Sequence, residues 1–370
     1  CRALQLPAWN EALGLPRPWD QQWSLRLQQI VAMETDLLEY GDLFDGSPVV
    51  AAKVAELKAG ARAELARIDE MGGAVAAVES GYMKQRLVEA NANRVAAIEN
   101  GEQIVVGVNK FVETAPSPLT TGADGSIMVV DEGVERRQIE KLRAHREARD
   151  ARAAEAALGE LARAAREGRN IMESSIACAH AGVTTGEWAG ALREIFGEYR
   201  APTGVGGSVV EVRGDRSQTN QVREAVDALS ARLGRRMKFL VGKPGLDGHS
   251  NGAEQIALKA RDCGMEVVYE GIRLTPAQIV NAALEESVHV VGLSILSGSH
   301  NELVADVMRR MAEAGLDDVP VIVGGIIPDE DARKLKAAGV ARVYTPKDFE
   351  ITQIMADIVA LVDGLTREAA

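Results

Sequence analysis

The sequence predicts an α/β protein: a C-terminal doubly wound parallel sheet of five strands, preceded by a mostly helical region. Three observations predict it. From Met237 onward, strand-like and helix-like runs alternate five times in about 130 residues. Each strand-like run ends in a short loop rich in glycine, serine or proline. Upstream of residue 203 most readable segments are capped helices separated by glycines and prolines.

Bulk composition bounds the rest. The 370 residues leave room for two or three domains, and 46% hydrophobic with 26% charged residues is ordinary for a globular chain. No run approaches the roughly 20 apolar residues of a membrane span, and no charged-then-apolar leader is visible. A net charge of -12 argues against nucleic acid as partner. Cys1, Cys178 and Cys263 lie far apart with no CxxC, which fits a reducing, cytoplasmic setting.

The elements follow in order. Residues 1–46 hold Trp9, Trp19 and Trp23, the prolines Pro7, Pro16 and Pro18, and a helix expected over 21–39. This block has too little apolar surface to be a domain. It opens on Cys1 as if in the middle of a folded domain, so a fragment or processed chain is expected. Its tryptophans are read as packing residues. Ser47-Pro48 starts a helix that stops at Gly72-Gly73. A second helix lies in "SGYMKQRLVEANANRVAAIENG". "EQIVVGVNKF" reads as a short strand and "ETAPSPLTTGADGSI" as a loop. Residues 132–168, rich in Ala, Arg and Glu without a sustained heptad, read as a solvated helical hairpin with many i,i+4 pairs. Thr184 and Glu187 have capping-box spacing at the head of a helix that ends before Pro202. His145, His180 and His289 read as structural. Residues 203–236 read as a glycine-rich linker followed by one helix. The expected boundaries are therefore 1–46, 47–202, 203–236 and 237–370.

In the last region the pairs are "MKFLVG" with "GAEQIALKARDCG", "MEVVYEG" with "PAQIVNAALEES", "HVVGLSIL" with "HNELVADVMRRMAEAG", "VPVIVGG" with "DEDARKLKAAG", and "ARVYT" with "FEITQIMADIVALVDGL". Such a flavodoxin-like sheet carries its five strand-to-helix loops on one edge, because the crossovers are right-handed. Ligands bind at that edge. The loops there are "KPGLDGHSNG", "LSILSGSH", "GGIIP" and "YTPKD". Each is small, polar or glycine-rich, a surface for something large and flat.

Several cargoes are excluded. Gly242, Gly245 and Gly248 do not have GxGxxG spacing, and Gly242-Lys243-Pro244 breaks a phosphate-binding loop. Ser294 stands where a phosphoryl receiver needs aspartate. Asp247 and His249 supply two zinc ligands at most. A lone loop histidine suits a metal already held by a macrocycle: His249 would give one ring nitrogen to the metal and the other to Asp247, with Lys243 bonding that carboxylate. The bland alternatives are a solvated turn histidine, a tight turn at Gly324-Gly325, and a plain capping box of Ser299 with Glu302.

The motif Lys243-x-Gly245-x-Asp247-x-His249-x-x-Gly252, followed by Ser294-x-Leu296 and Gly324-Gly325, resembles the cobalamin-binding domain of the acyl-CoA mutases, the methylmalonyl-CoA mutase family. The resemblance implies adenosylcobalamin as cofactor, with His249 as the lower cobalt ligand and Asp247 and Lys243 as its relay. It implies that Ser294, Leu296, Gly324 and Gly325 line a cleft for the nucleotide tail. Gly248, Gly252, Ser299 and Thr345 stand with them as cofactor-binding positions on the edge loops. Upstream, "DEMGG", "IVVGVNKF", "RQIEKLRAHREARD", "VTTGEW" and "IFGEYRAP" look like the family's segment between substrate barrel and cobalamin domain.

"LPAWNEALGLP" resembles the last unit of that (β/α)8 barrel, where Glu11 matches a glutamate near the adenosyl ribose; as ordinary chemistry Glu11 is equally a surface residue. Gln5-Leu6-Pro7 departs from a His-Thr-Asn run common in the family. With "RAPTGVGG", that departure resembles the branch acting on ethylmalonyl-CoA. The implied reaction is radical carbon-skeleton isomerisation of ethylmalonyl-CoA to methylsuccinyl-CoA, with methylmalonyl-CoA and succinyl-CoA as the next pair. The acyl-CoA would be held by barrel strands before Cys1, in a homodimer of the full-length protein. This chain alone would bind cofactor without turnover, and no catalytic residue is assigned in it. Corrinoid methyl-transfer proteins share DxHxxG, so a non-catalytic cobalamin carrier is the rival reading.

Overall fold

The computed structural model describes residues 4–11, 13–113, 115, 132–203 and 217–368. They form two compact units, one from 1–128 with 201–370 and the other from 129–200.

In the larger unit α1 (Pro18–Met33) begins three residues before the expected start. Pro18 takes the first helical position, and buried Asp20 accepts bonds from the Arg17 backbone N–H (3.0 Å) and side chain (2.7 and 2.9 Å). The helix stops early as well, where the Thr35 hydroxyl bonds back to Val31 O. The α2 helix (Pro48–Glu70) starts at Ser47 as expected, with Oγ accepting the Val50 N–H. It is followed by Gly72 and Gly73 at φ 99° and 96°, a conformation glycine adopts without strain. A short α3 (Ala74–Glu79), absent from the sequence reading, precedes α4 (Tyr82–Glu99).

The expected strand in "EQIVVGVNKF" does not form; that segment is a turn closed by a Val106–Lys110 bridge. Asn109 explains it. Its side chain accepts the Val105 N–H (2.8 Å) and donates to Ile98 O and Gln103 O (2.9 and 2.8 Å), so these backbone groups bond to one asparagine instead of a neighbouring strand. Most of the expected loop at 113–127 lies outside the described residues.

The smaller unit contains α5 (Glu132–Ala148), α6 (Ala151–Arg166), α7 (Met172–His180) and α8 (Thr185–Phe196). The solvated hairpin is corrected here. The α6 helix buries Ala154, Leu161, Ala164 and Ala165 and packs against α7 and α8. Its described internal ion pair is Glu160–Arg163, at i,i+3. The capping box at Thr184 and Glu187 is present. Arg149 donates to both Glu187 oxygens (2.6 and 2.7 Å) and holds that carboxyl far below the usual carboxylate range. His145 has a structural bond, Nε2 lying 2.9 Å from Gly182 O.

The helix expected as part of a 203–236 linker is α9 (Ser217–Leu233), and it is not linker. Val222, Val226 and Leu229 are buried in the core of the sheet domain, against the last helix. The glycine-rich stretch before it, 204–216, lies outside the described residues. Leu229→Ala should cost about 2–5 kcal/mol. Urea titration of the chain, followed by a probe in the sheet domain, checks this; an unchanged midpoint would return α9 to the linker.

The sheet is all parallel, in the order β2-β1-β3-β4-β5. Its strands are β1 (Lys238–Gly242), β2 (Glu266–Val268), β3 (Val290–Ile295), β4 (Val321–Gly325) and β5 (Arg342–Tyr344). They alternate with α10 (Asn251–Asp262), α11 (Pro276–Glu285), α12 (His300–Glu313), α13 (Asp329–Ala337) and α14 (Ile351–Glu368). This is the flavodoxin-like order. Side chains alternate between faces: Phe239 and Val241 pack with α9, α10 and α14, while Leu240 packs with α11 and α12. His289 accepts the Lys238 N–H through Nδ1 (2.8 Å), a structural role as expected.

Candidate functional site

The loop after β1 is held from beneath. Gly245 donates to Leu274 O (3.0 Å), and Leu274 donates to Lys243 O (3.2 Å). Gly245 sits at φ 84°, and a Cβ there would lie 2.8 Å from Leu303 Cδ1, so the turn requires glycine. Above it the three expected residues come together. Fully buried Lys243 donates from Nζ to Asp247 Oδ2 (2.7 Å). Asp247 Oδ1 accepts the His249 backbone N–H (3.0 Å) and lies 2.6 Å from His249 Nδ1.

Burial alone would push the Asp247 carboxyl up. The bonds from Lys243 and from the backbone and ring of His249 outweigh it and hold the group far below the usual carboxylate range. An ionised Asp247 places the ring proton on Nδ1, which leaves the Nε2 lone pair available. The His249 side chain is 77% exposed.

Beside this loop a cleft of about 590 Å³ opens at the C-terminal ends of β1, β3, β4 and β5. Gly252, Ser294, Leu296, Gly324, Gly325 and Thr345 line it. Part of its floor is glycine backbone, at Gly292, Gly324 and Gly325. A Cβ on Gly325 would lie 1.8 Å from Ile295 O, and one on Gly292 would lie 2.7 Å from the Phe239 ring. Thr345 is fixed by Asp348, which accepts its backbone N–H at 2.8 Å.

Other expected positions are placed elsewhere. Gly248 stays on the histidine loop, 3.6 Å from the Arg273 guanidinium by its Cβ position. Ser299 does not line the cleft, and it does not cap α12: its hydroxyl pairs with Ser297 Oγ at 2.7 Å, so the capping box with Glu302 is absent. Glu11 is exposed in a turn and is not a cleft residue. The turn's next residue but one, Leu13, comes within 4.0 Å of the Gly298 Cβ position, on the β3–α12 loop. The tryptophans are each about half exposed. Trp9 and Trp23 meet edge to face at 6.4 Å and Arg17 lies over Trp19 at 4.8 Å, so they pack locally without entering a core.

Sequence reasoning missed one whole wall. Asn91, Arg94, Val95 and Ile98 of α4 line the cleft. The signal was the narrow stripe Val88, Ala92 and Ala96, which lets α4 sit close on α10 at Leu258. It also missed Tyr344, whose buried hydroxyl has no hydrogen-bond partner among the described residues, and whose acidity burial pushes to about 12. His300, the first residue of α12, is buried and bonds Asp331 at 2.9 Å, tying the head of α12 to α13.

These features fit a cobalt macrocycle with a nucleotide tail. An apolar cleft with a glycine floor and an orphaned hydroxyl suits a flat, partly polar group. The exposed His249 ring, held by Asp247 through Nδ1, offers one nitrogen to such a group. Among the described residues no helix is long and apolar enough to cross a membrane.

The comparisons agree with the geometry. The family model described as methylmalonyl-CoA mutase matches residues 1–198, and that of the B12 binding domain matches 237–348. An ethylmalonyl-CoA mutase of Cereibacter sphaeroides is 64% identical over 365 residues, 98% of this chain and 54% of the relative. One from Methylorubrum extorquens is 59% identical over 370 residues, 100% of this chain and 53% of the relative. A methylmalonyl-CoA mutase of Cereibacter sphaeroides is 35% identical over 349 residues, 93% of this chain and 48% of the relative. The chain spans about half the length of the curated relatives it matches. With the mutase model over residues 1–198, and the histidine relay and the glycines of the cleft inside the B12-binding segment, the chain belongs to the methylmalonyl-CoA mutase family.

Proposed function

We propose that this chain is the cobalamin-carrying part of an adenosylcobalamin-dependent mutase that converts ethylmalonyl-CoA to methylsuccinyl-CoA. One observation carries the reading: the Lys243–Asp247–His249 relay stands beside a cleft floored by glycine backbone. When bound, the cofactor supplies a cleavable cobalt–carbon bond and with it radical chemistry. The chain's own part is to hold and orient. Asp247 keeps the His249 proton on Nδ1 and presents Nε2; Lys243 keeps Asp247 ionised. The floor at Gly292, Gly324 and Gly325 admits a planar group, and the apolar side chains beneath it exclude water. The identities of 64% and 59%, against 35%, favour ethylmalonyl-CoA over methylmalonyl-CoA. An acyl-CoA substrate site in the family's barrel, a homodimer of the whole protein and a cytoplasmic setting belong to the same proposal. The free buried thiols Cys178 and Cys263 support the last.

The test is ¹⁵N-histidine labelling with cob(II)alamin. Nitrogen hyperfine coupling from protein is expected, and His249→Ala should abolish it. Asp247→Asn should weaken cobalamin binding by roughly 10- to 100-fold, as for outer-shell partners in general. Coupling from the cofactor's own dimethylbenzimidazole in the parent would sink the assignment.

A further inference from the structure

The α4 helix is pinned at both ends. Near its start Lys84 donates from Nζ to Ser250 Oγ (2.8 Å) and pairs with Glu254 Oε1 (2.7 Å). Glu254 is 1% exposed, and its other oxygen has no partner among the described residues. Midway, Gln255 donates to Val88 O (3.2 Å). At the far end Glu99 accepts the backbone N–H groups of Ile351 and Thr352 (2.7 and 3.4 Å), the first turn of α14, and pairs with Lys259 at 3.6 Å. Between these pins lie the α4 residues of the cleft wall.

Ser250 directly follows His249 and stands at the head of α10, where its side chain makes no cap bond. Its hydroxyl serves Lys84 instead. The loop around His249 contains Gly245 and Gly248 and is intrinsically soft. Asp247 holds the imidazole from one side; the Lys84–Ser250 bond holds the main chain on the other.

We propose that Lys84 is a positioning residue for His249, and that α4 is a strap holding the ligand in the cleft. This rests on the cobalamin reading above. Metal ligation requires the donor atom to be held to within about 0.5 Å. A loop free at Ser250 spreads His249 over positions from which Nε2 does not ligate. A strap released at Lys84 also opens one wall of the cleft and speeds ligand loss.

Three variants of the whole chain test it. Ser250→Ala removes the pin and keeps the buried Lys84–Glu254 pair. The double variant Lys84→Met with Glu254→Gln removes both ends of that pair, so no lone buried carboxylate remains. Lys84→Arg is the conservative rescue. Folding is checked by circular dichroism; if the double variant fails to fold, Ser250→Ala decides. The readouts are the histidine hyperfine coupling of bound cob(II)alamin and the rate of cobalamin release. In the first two variants part of the protein coupling should be lost and release should be about 10-fold faster, the lower end of the outer-shell range; Lys84→Arg should stay near the parent. Parent-like coupling and release in Ser250→Ala would overturn the role of Lys84 while leaving His249 as ligand. Absence of protein coupling in the parent itself would instead overturn the cobalamin reading, and this inference with it.

Discussion

Gly325→Ala should lose most of the sheet domain's stability and its cobalamin site together. The new methyl would lie 1.8 Å from Ile295 O and 2.9 Å from Ile295 C, both backbone atoms of the paired strand. No rotamer relieves a backbone clash, so β3 and β4 must separate at that end. Ordinary overpacking costs about 1–3 kcal/mol; a clash with a paired strand should reach at least the top of that range. Cobalamin affinity should fall at least tenfold, since about 1.4 kcal/mol suffices. Gly324→Ala is the matched control. A Cβ there meets nothing within 4 Å and projects where the ligand would lie. That variant should fold like the parent and still bind cobalamin more weakly. Urea midpoints and cobalamin titration separate the two, and a parent-like Gly325→Ala would contradict the floor as described.

Lys243→Met should be the other large effect. Lys243 is fully buried and Asp247 nearly so, and breaking such a pair strands a charge at about 3–5 kcal/mol. Its pH dependence has a definite sign. Asp247 titrates lower in the folded chain than in the unfolded one, so its stabilising share is complete above the ordinary carboxylate pKa, about 4. That share is lost as pH falls below it. Without Lys243 the folded pKa rises and the acid loss from this group shrinks. Urea midpoints between about pH 3 and about pH 7 should therefore fall less toward acid in the variant than in the parent. Equal slopes would mean that Lys243 does not hold Asp247 ionised.

What could be read in advance was what is local. The alternation after Met237 follows from period and turn chemistry, and the Lys243–His249 loop packs its partners within six residues. What could not be read depends on distant partners. Lys84 and Ser250 are 166 residues apart, so no pattern around either announces their bond. "EQIVVGVNKF" has a strand's composition, yet Asn109 takes over its backbone groups. In α9 the stripe Val222, Val226 and Leu229 was visible, but the glycine run before it drew the boundary on the wrong side. Ser299 failed as a cap because Ser297, two residues away, offered its hydroxyl another partner.

A cleft floored by Gly292, Gly324 and Gly325 also changes how its importance can be discovered. Alanine scanning finds contacts by deleting side chains, and here there are none to delete. A conventional scan would report the side chains of the walls, Asn91, Arg94, Ser294, Tyr344 and Thr345 among them, and pass silently over the glycines of the floor. The informative experiment runs in reverse, adding one carbon at a time and reading where the chain refuses it. Within the floor the carbon is refused for different reasons: at Gly325 and Gly292 it meets the Ile295 backbone and the Phe239 ring, whereas at Gly324 it meets only the space a ligand would fill.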